Sequence, residues 1–124
     1  MEKIIREVNL KELVKMIETN VVAIATCNNG EPNAAPVAYV KVKDGQIIIT
    51  DNYLGKILDN IKTNSQVCLV VWNKEMKGYK IFGKAEYYDS GEWVEFVKSL
   101  PENKGEPCKG AIVVTPLDTR DIGI

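Results

Sequence analysis

Two glycine-containing residue pairs in the first half of the chain predict where the chain reverses its direction. Asn29-Gly30 follows the apolar run VVAIATC, and Asp44-Gly45 precedes the apolar run QIIIT. Asn-Gly and Asp-Gly pairs tolerate the positive φ angles that tight hairpin turns require. The chain is therefore predicted to turn back on itself twice within its first 50 residues, which favours antiparallel pairing of neighbouring strands.

Six runs have the length and composition of short strands. They cover residues 21–27, 31–43, 46–50, 65–72, 79–88 and 111–115. The second run contains Pro32 and Pro36, which cannot donate to a sheet ladder, so part of this run must lie at an edge, a bulge or a gap.

Apolar residues at helical spacing mark three further segments between or before these runs. The positions are Leu10, Leu13, Val14 and Ile17, then Leu54, Ile57, Leu58 and Ile61, and finally Trp93, Phe96, Val97 and Leu100. Six short strands joined mostly by hairpins favour a closed or split barrel over a parallel sheet, which needs a crossover after every strand. The predicted fold is mainly β: one domain over residues 1–124 with six antiparallel strands in a closed or split barrel and short flanking helices.

The composition argues against several classes of function. Sixteen basic and seventeen acidic residues, with no basic run, argue against a nucleic acid partner. No apolar run approaches a membrane span and MEKIIREVNL lacks the apolar core of a signal peptide, so we expect a cytoplasmic protein without membrane contact. Histidine is absent and the three cysteines are far apart in sequence, so no metal ligands are predicted. An enzyme with this sequence would depend on a bound cofactor.

One charge is unexpected for an ordinary helix. Lys56 falls in the first turn of the helix after QIIIT, where the helix dipole makes a cation unfavourable by up to about 1 kcal/mol. This position predicts an anion beside Lys56; the alternative is a solvated lysine whose stem covers apolar surface. Thr50 and Asn52 supply a hydroxyl and an amide nearby, and Gly55 lets a ligand approach the backbone closely.

The order and spacing of these features resemble the pyridoxamine 5′-phosphate oxidase-like FMN-binding split-barrel superfamily. The matching features, within about residues 20–88, are Asn29-Gly30, Pro32, Pro36, Asp44-Gly45, Thr50, Lys56, Thr63-Asn64-Ser65 and Trp72. The resemblance implies a homodimer that holds FMN at the subunit interface, with the phosphate at Lys56. It also implies that further residues run along the phosphate, ribityl chain and flavin ring. These are Pro36, Val37, Ala38, Thr50, Asp51 and Asn52.

The chain departs from the true pyridoxamine 5′-phosphate oxidases at several of their functional positions. Those enzymes carry an arginine at the position of Pro36, a serine at Leu54 and a glutamine at Gly78. Their C-terminal arginine and histidine have no clear counterpart here, where the last residues offer Arg120 and no histidine. The resemblance therefore argues against vitamin B6 oxidation and is closer to the small FMN-binding proteins of the superfamily.

In those small proteins a short apolar tail reaches the flavin of the partner subunit. The resemblance thus makes Ile122 and Ile124 candidates for cofactor contact. It favours an FMN-dependent oxidoreductase or flavin reductase in which no residue stands out as a catalytic acid or base. Two alternatives stay open: a non-catalytic FMN-binding electron carrier, and a binder of another phosphate-bearing cofactor such as a deazaflavin or pyridoxal phosphate.

Overall fold

The computed structural model describes residues 10–123. Its elements, in chain order, are α1 (Leu10–Thr19), β1 (Val21–Asn28), β2 (Glu31–Val37), β3 (Lys41–Lys43), β4 (Gln46–Asp51), α2 (Gly55–Thr63), β5 (Gln66–Trp72), β6 (Gly78–Tyr88), α3 (Glu92–Ser99), a 3₁₀ turn (Pro101–Asn103) and β7 (Gly110–Asp121). None of the helices within these residues is long and apolar enough to cross a membrane.

The seven strands form one antiparallel sheet in the order β2-β1-β5-β6-β7-β4-β3. The two edge strands, β2 and β3, are consecutive along the chain. Because the four Cα steps from Val37 to Lys41 span at most about 14 Å, the two edges must approach each other at this end. The sheet therefore curls into a barrel that is split between β2 and β3, which confirms the predicted mainly β, split-barrel fold.

The predicted count of six strands is wrong by one, because the run 31–43 is broken. β2 ends at Val37 and β3 begins at Lys41. Between them Tyr39 has a φ of 56°, a left-handed conformation that interrupts strand geometry. Both prolines of the run lie in β2, and β2 is an edge strand as their missing N–H groups predict.

The last strand is longer than the sequence indicates. It covers Gly110–Asp121 instead of 111–115, and its second half continues along β6. The register shifts at Phe82 and Gly83, where Pro116 faces Gly83. The second half of β7 is polar, so no apolar run marks it as a strand in the sequence. Its pairing with β6 shows that it is one.

The barrel interior is the main core. Its fully buried residues come from the inward faces of the strands and include Val22, Ile24, Ile49, Leu69, Val71, Ile81, Ile112 and Val114. Both α1 and α2 pack into this core, α1 through Met16 and Ile17, and α2 through Ile57 and Ile61. Side chains therefore fill the interior of the barrel, and any ligand site must lie at its surface.

The outer surface of the barrel has two contrasting parts. In the covered half, α3 packs on the outer face of β4 and β7, where Val97 joins Ile48 and Val113 in a second buried cluster. The outer face of β2, β1, β5 and β6, called here the bare face, is exposed or half-buried. Its outward positions carry small and apolar side chains together with polar ones on β5 and β6, namely Val21, Ala23, Ala25, Ala34, Pro36, Cys68, Val70, Trp72 and Phe82, and Gln66, Lys80 and Lys84.

Candidate functional site

Five of the predicted site residues converge on one cavity at the split of the barrel. This cavity of about 250 Å³ is lined by Pro36, Val37, Ala38, Tyr39, Thr50, Asn52, Tyr53, Leu54 and Glu106. The end of β2 supplies one wall, and the turn that follows β4 supplies the opposite wall. Small-molecule sites usually measure about 300–1,000 Å³, so this cavity by itself is slightly smaller than a typical one.

The start of α2, next to this cavity, has open backbone donors. The Leu54 N–H donates to Asp51 Oδ1 at 3.2 Å, and the Ile57 N–H donates to the Leu54 carbonyl at 2.9 Å. The N–H groups of Gly55 and Lys56, which lie between them, have no acceptor among residues 10–123. Because the first turn also contains no acidic residue, it is suited to binding an anion.

Gly55 and Lys56 fit this use of the helix start. Gly55 has a φ of 37°, which glycine adopts without strain, and no atom lies within 4 Å of the place where a Cβ would be. Lys56 is exposed, and its ammonium group makes no ion pair with the described residues. A ligand can therefore reach the backbone here and meet a free cation, but the anion beside Lys56 stays a prediction.

Thr50 and Asn52 are buried, and the loop before β7 engages both. Asn52 Oδ1 accepts the Cys108 N–H at 2.9 Å, and Asn52 Nδ2 donates to Asn103 Oδ1 at 3.3 Å. Asn103 Nδ2 in turn donates to Thr50 Oγ1 and to the Val97 carbonyl, both at 2.8 Å. Asn52 thus uses both ends of its amide to hold the loop, whereas Thr50 keeps its hydroxyl proton for another acceptor.

Asp51 is 2% exposed and is used by the chain itself. Its Oδ2 accepts the Tyr87 hydroxyl at 2.9 Å, its Oδ1 accepts the Leu54 N–H, and its carbonyl accepts the Lys109 N–H at 2.9 Å. Burial, followed by the hydrogen bond to Asp51, raises the pKa of Tyr87 to about 12. Asp51 therefore holds the start of α2 in place, and its direct contact with a cofactor stays a prediction.

Ile122 is not among the residues that line this cavity. Ile122 lines a different cavity of about 330 Å³, together with Met16 and Tyr79. Its N–H donates to the Gly78 carbonyl at 3.1 Å. Ile124 lies outside the described residues. Contact of either residue with the flavin of a partner subunit stays a prediction.

A larger cavity also includes residues 37–39 in its lining. It measures about 630 Å³, shares these residues with the smaller cavity, and is also lined by Trp72, Lys41 and Glu102. The Lys41 ammonium pairs with the Glu102 carboxylate at 2.5 Å. Nowhere in residues 10–123 do histidine, cysteine, aspartate and glutamate side chains group in a way that could hold a metal ion.

Three residues at the site carry no local signal in the sequence. Asn103 is 3% exposed and joins Thr50 and Asn52, but these partners are 53 and 51 positions away, so no local pattern marks it. Tyr87 looks like an ordinary strand tyrosine until its contact with Asp51 is seen. Glu106 comes from a polar loop, yet it lines the predicted cavity.

The sequence matches the pyridoxamine 5′-phosphate oxidase family over residues 9–122. The chain belongs to that family. It is also 36% identical, over 110 residues, to an uncharacterized protein of Methanocaldococcus jannaschii, a match that covers 84% of this chain and 74% of that relative.

Solved structures share the fold at lower identity. HupZ of Group A Streptococcus superposes with a TM-score of 0.82 at 22% identity, covering 90% of this chain and 92% of HupZ. An FMN-binding protein of Syntrophomonas wolfei subsp. wolfei gives a TM-score of 0.72 at 16% identity, covering 92% of this chain and 88% of that protein. Both likenesses establish the split-barrel fold of this chain.

Proposed function

We propose that this protein is a flavoprotein that binds FMN at the split of the barrel and acts as an oxidoreductase or flavin reductase. The observation that carries the proposal is that Pro36, Val37, Ala38, Thr50 and Asn52 line one cavity beside an open helix start. Family membership and the shared fold of an FMN-binding protein support the same conclusion.

The residues present fit a phosphate-bearing flavin. The N–H groups of Gly55 and Lys56, the Lys56 ammonium and the Thr50 hydroxyl would hold the phosphate end. Residues 36–38 would flank the ribityl chain and the ring. When bound, the isoalloxazine ring supplies the redox chemistry, and the protein supplies position and electrostatics.

Pyridoxamine 5′-phosphate is a poor substrate for this chain in our proposal, despite the name of the family. Arg120, the one arginine near the C-terminus, is paired with Asp118 at 2.7 Å and lies 5.2 Å from the Phe82 ring centre. Lys41, in the larger cavity, is paired with Glu102. Both cations are already engaged within the chain, so neither is free to bind a second phosphate.

The proposal includes a homodimer with FMN at the subunit interface. Within residues 10–123 the small and apolar side chains of the bare face on β1, β2 and β5 stay exposed or half-buried, and monomeric proteins rarely expose large contiguous apolar surfaces. A second copy would cover this face, enlarge the small cavity and bring its own Ile122 and Ile124 towards the flavin. We place the protein in the cytoplasm and without nucleic acid or membrane partners.

A non-catalytic FMN-binding electron carrier is the second candidate. The absence of histidine in the sequence favours it, because the most common acid–base group of enzymes is missing. Stopped-flow mixing with NADH and NADPH separates the two functions. Rapid bleaching of the flavin supports the reductase, and no reaction with either nucleotide supports the carrier.

The absorbance spectrum of the purified protein tests the flavin itself. We expect the two-band spectrum of FMN, either as purified or after reconstitution of colourless protein with FMN. A bound deazaflavin or pyridoxal phosphate would give a different spectrum and redirect the proposal to another phosphate-bearing cofactor. A colourless protein that does not take up FMN would reject both flavin functions.

A further inference from the structure

We propose that Glu106 sets the charge selectivity of the 250 Å³ cavity by opposing the phosphate that Lys56 attracts. This inference rests on the proposed FMN site. Among the residues that line the cavity, Glu106 is the one that carries a charge at neutral pH. No hydrogen bond or ion pair with residues 10–123 neutralises its carboxylate.

The backbone on both sides of Glu106 is anchored to the end of β4. The Glu106 N–H donates to the Asn103 carbonyl at 2.9 Å, and the Cys108 N–H donates to Asn52 Oδ1 at 2.9 Å. Asn103 is itself buried and bonded to Thr50. Moving the loop away from the cavity would break these hydrogen bonds, so the backbone of Glu106 stays beside the cavity.

The size of the cavity makes the charge effective. A space of this volume is about 8 Å across, and the lining residue Leu54 directly precedes Gly55 and Lys56, so a phosphate held there would lie about one cavity width from Glu106. At an effective dielectric constant of about 20, one unit of like charge at that distance weakens binding on the order of tenfold or more. Lys56 acts in the opposite direction from the helix start, and a flavin without a phosphate is affected by neither residue.

The affinity for FMN is therefore the result of two opposed charges that come from different parts of the chain. Lys56 favours the phosphate, and Glu106 limits how tightly the phosphate is held. A cofactor with more negative charge at this end is disfavoured further.

Titration of FMN and riboflavin into wild type and Glu106→Gln tests this inference. The substitution removes the charge, keeps the size of the side chain and leaves the backbone hydrogen bond to Asn103 in place. At low ionic strength we expect FMN affinity to rise about tenfold and riboflavin affinity to stay the same. The gain should shrink as salt is added, because salt screens charges in an open cavity.

Glu102→Gln is the matched control, since it makes the same change in the same loop. Its carboxylate pairs with Lys41 and lines the other cavity, so the ratio of FMN to riboflavin affinity should not change. Glu106→Ala, with thermal unfolding as a check of folding, provides a second variant.

An unchanged ratio in both Glu106 variants, or an equal shift for the two flavins, overturns the role of Glu106 and leaves the FMN site standing. A wild-type protein that binds neither flavin overturns the proposed function itself and this inference with it.

Discussion

The covered half and the bare face differ in how far the outward side chains of the barrel are buried. In the covered half, Ile48 points outward from β4 and is buried under α3 with Val97 and Val113. On the bare face, β1 buries Ile24 in the core but leaves Ala25 exposed on the outside. Within residues 10–123, α3 buries the outer face of the covered half, whereas the outward side chains of the bare face stay exposed or half-buried.

This difference explains where a cofactor site can form. The cavity takes Pro36 from the end of β2, which belongs to the bare face, and Thr50 from the end of β4, which belongs to the covered half. The split of the barrel is the place where these two parts meet. A partner subunit that covers the bare face would therefore come to lie beside the cavity.

The largest effect should come from placing a charge in the covered half. Val97→Asp puts a carboxylate at a fully buried position without a partner, which should cost roughly 3–5 kcal/mol of unfolding free energy. That is a large part of the about 5–15 kcal/mol of a typical domain. Urea unfolding followed by circular dichroism should show a collapse of the midpoint. Lys98→Asp, at the exposed neighbouring position, should leave the midpoint nearly unchanged, and a stable Val97→Asp would contradict the buried packing of α3.

The same chemical change on the bare face should separate the subunits without unfolding them. Ala25 is exposed in the single chain, so Ala25→Asp costs the monomer little, but a dimer would have to bury the new charge. We expect dimer affinity to fall at least about a hundredfold. Light scattering should then move from about twice 13.8 kDa to 13.8 kDa. Ser90→Asp, away from this face, is the control. A wild-type monomer, or a dimer that tolerates Ala25→Asp, would show that the bare face is not the interface.

Lys56→Ala tests the place where the two parts of the barrel meet. The variant removes a charge-assisted contact of roughly 1.5–3 kcal/mol, so FMN affinity should fall about tenfold to 150-fold. Folding should hardly change, because Lys56 is exposed and alanine is a good helix former. Riboflavin, which has no phosphate, should bind both proteins alike. If both flavins lose affinity equally in a titration, Lys56 is not the phosphate ligand.

Tyr87→Phe should have the smallest effect, because it removes one hydrogen bond beneath the site. Loss of the bond to the Asp51 carboxylate should lower the unfolding free energy at pH 7 by about 1–2 kcal/mol. The pKa of Tyr87 is raised from its ordinary 10 to about 12, so its stabilising contribution is full below pH 10 and disappears as the pH rises towards 12. Urea unfolding between pH 8 and 12 should therefore show a steeper alkaline loss in wild type than in the variant. Equal slopes would mean that the Tyr87 hydroxyl contributes nothing.

The parts of the fold that depend on local chemistry could be predicted from the sequence. Asn29 and Gly30 have φ angles of 52° and 76°, and Asp44 and Gly45 have 53° and 74°, as hairpin turns of these pairs require. The break at Tyr39 could not be predicted, since a tyrosine carries no signal for a left-handed conformation. It follows from joining the two opposite edges of one sheet by three residues.

The candidate site could be predicted in part, for the same reason. Thr50, Asn52 and Gly55 lie close together in sequence and follow a strand, so their convergence could be inferred. Asn103 reaches Thr50 and Asn52, and Glu106 reaches the cavity, from a segment some fifty residues further on, and only the completed sheet brings them there. Polar residues in such a loop look solvated until their long-range partners are known.

The pairing of β4 with β7 also determines when the sheet can close during synthesis on the ribosome. β4 pairs with β3 and β7, and its bonds to β7 join Ile47 to Val114 and Thr50 to Ala111. The strands β1, β2, β5 and β6 all leave the ribosome earlier, because they end at Tyr88. A growing chain can therefore pair these four strands first, while the β3–β4 hairpin waits for the last strand. We expect ribosome-bound chains that stop before Gly110 to expose the three consecutive isoleucines of β4 to protease or chaperone, and full-length chains to protect them.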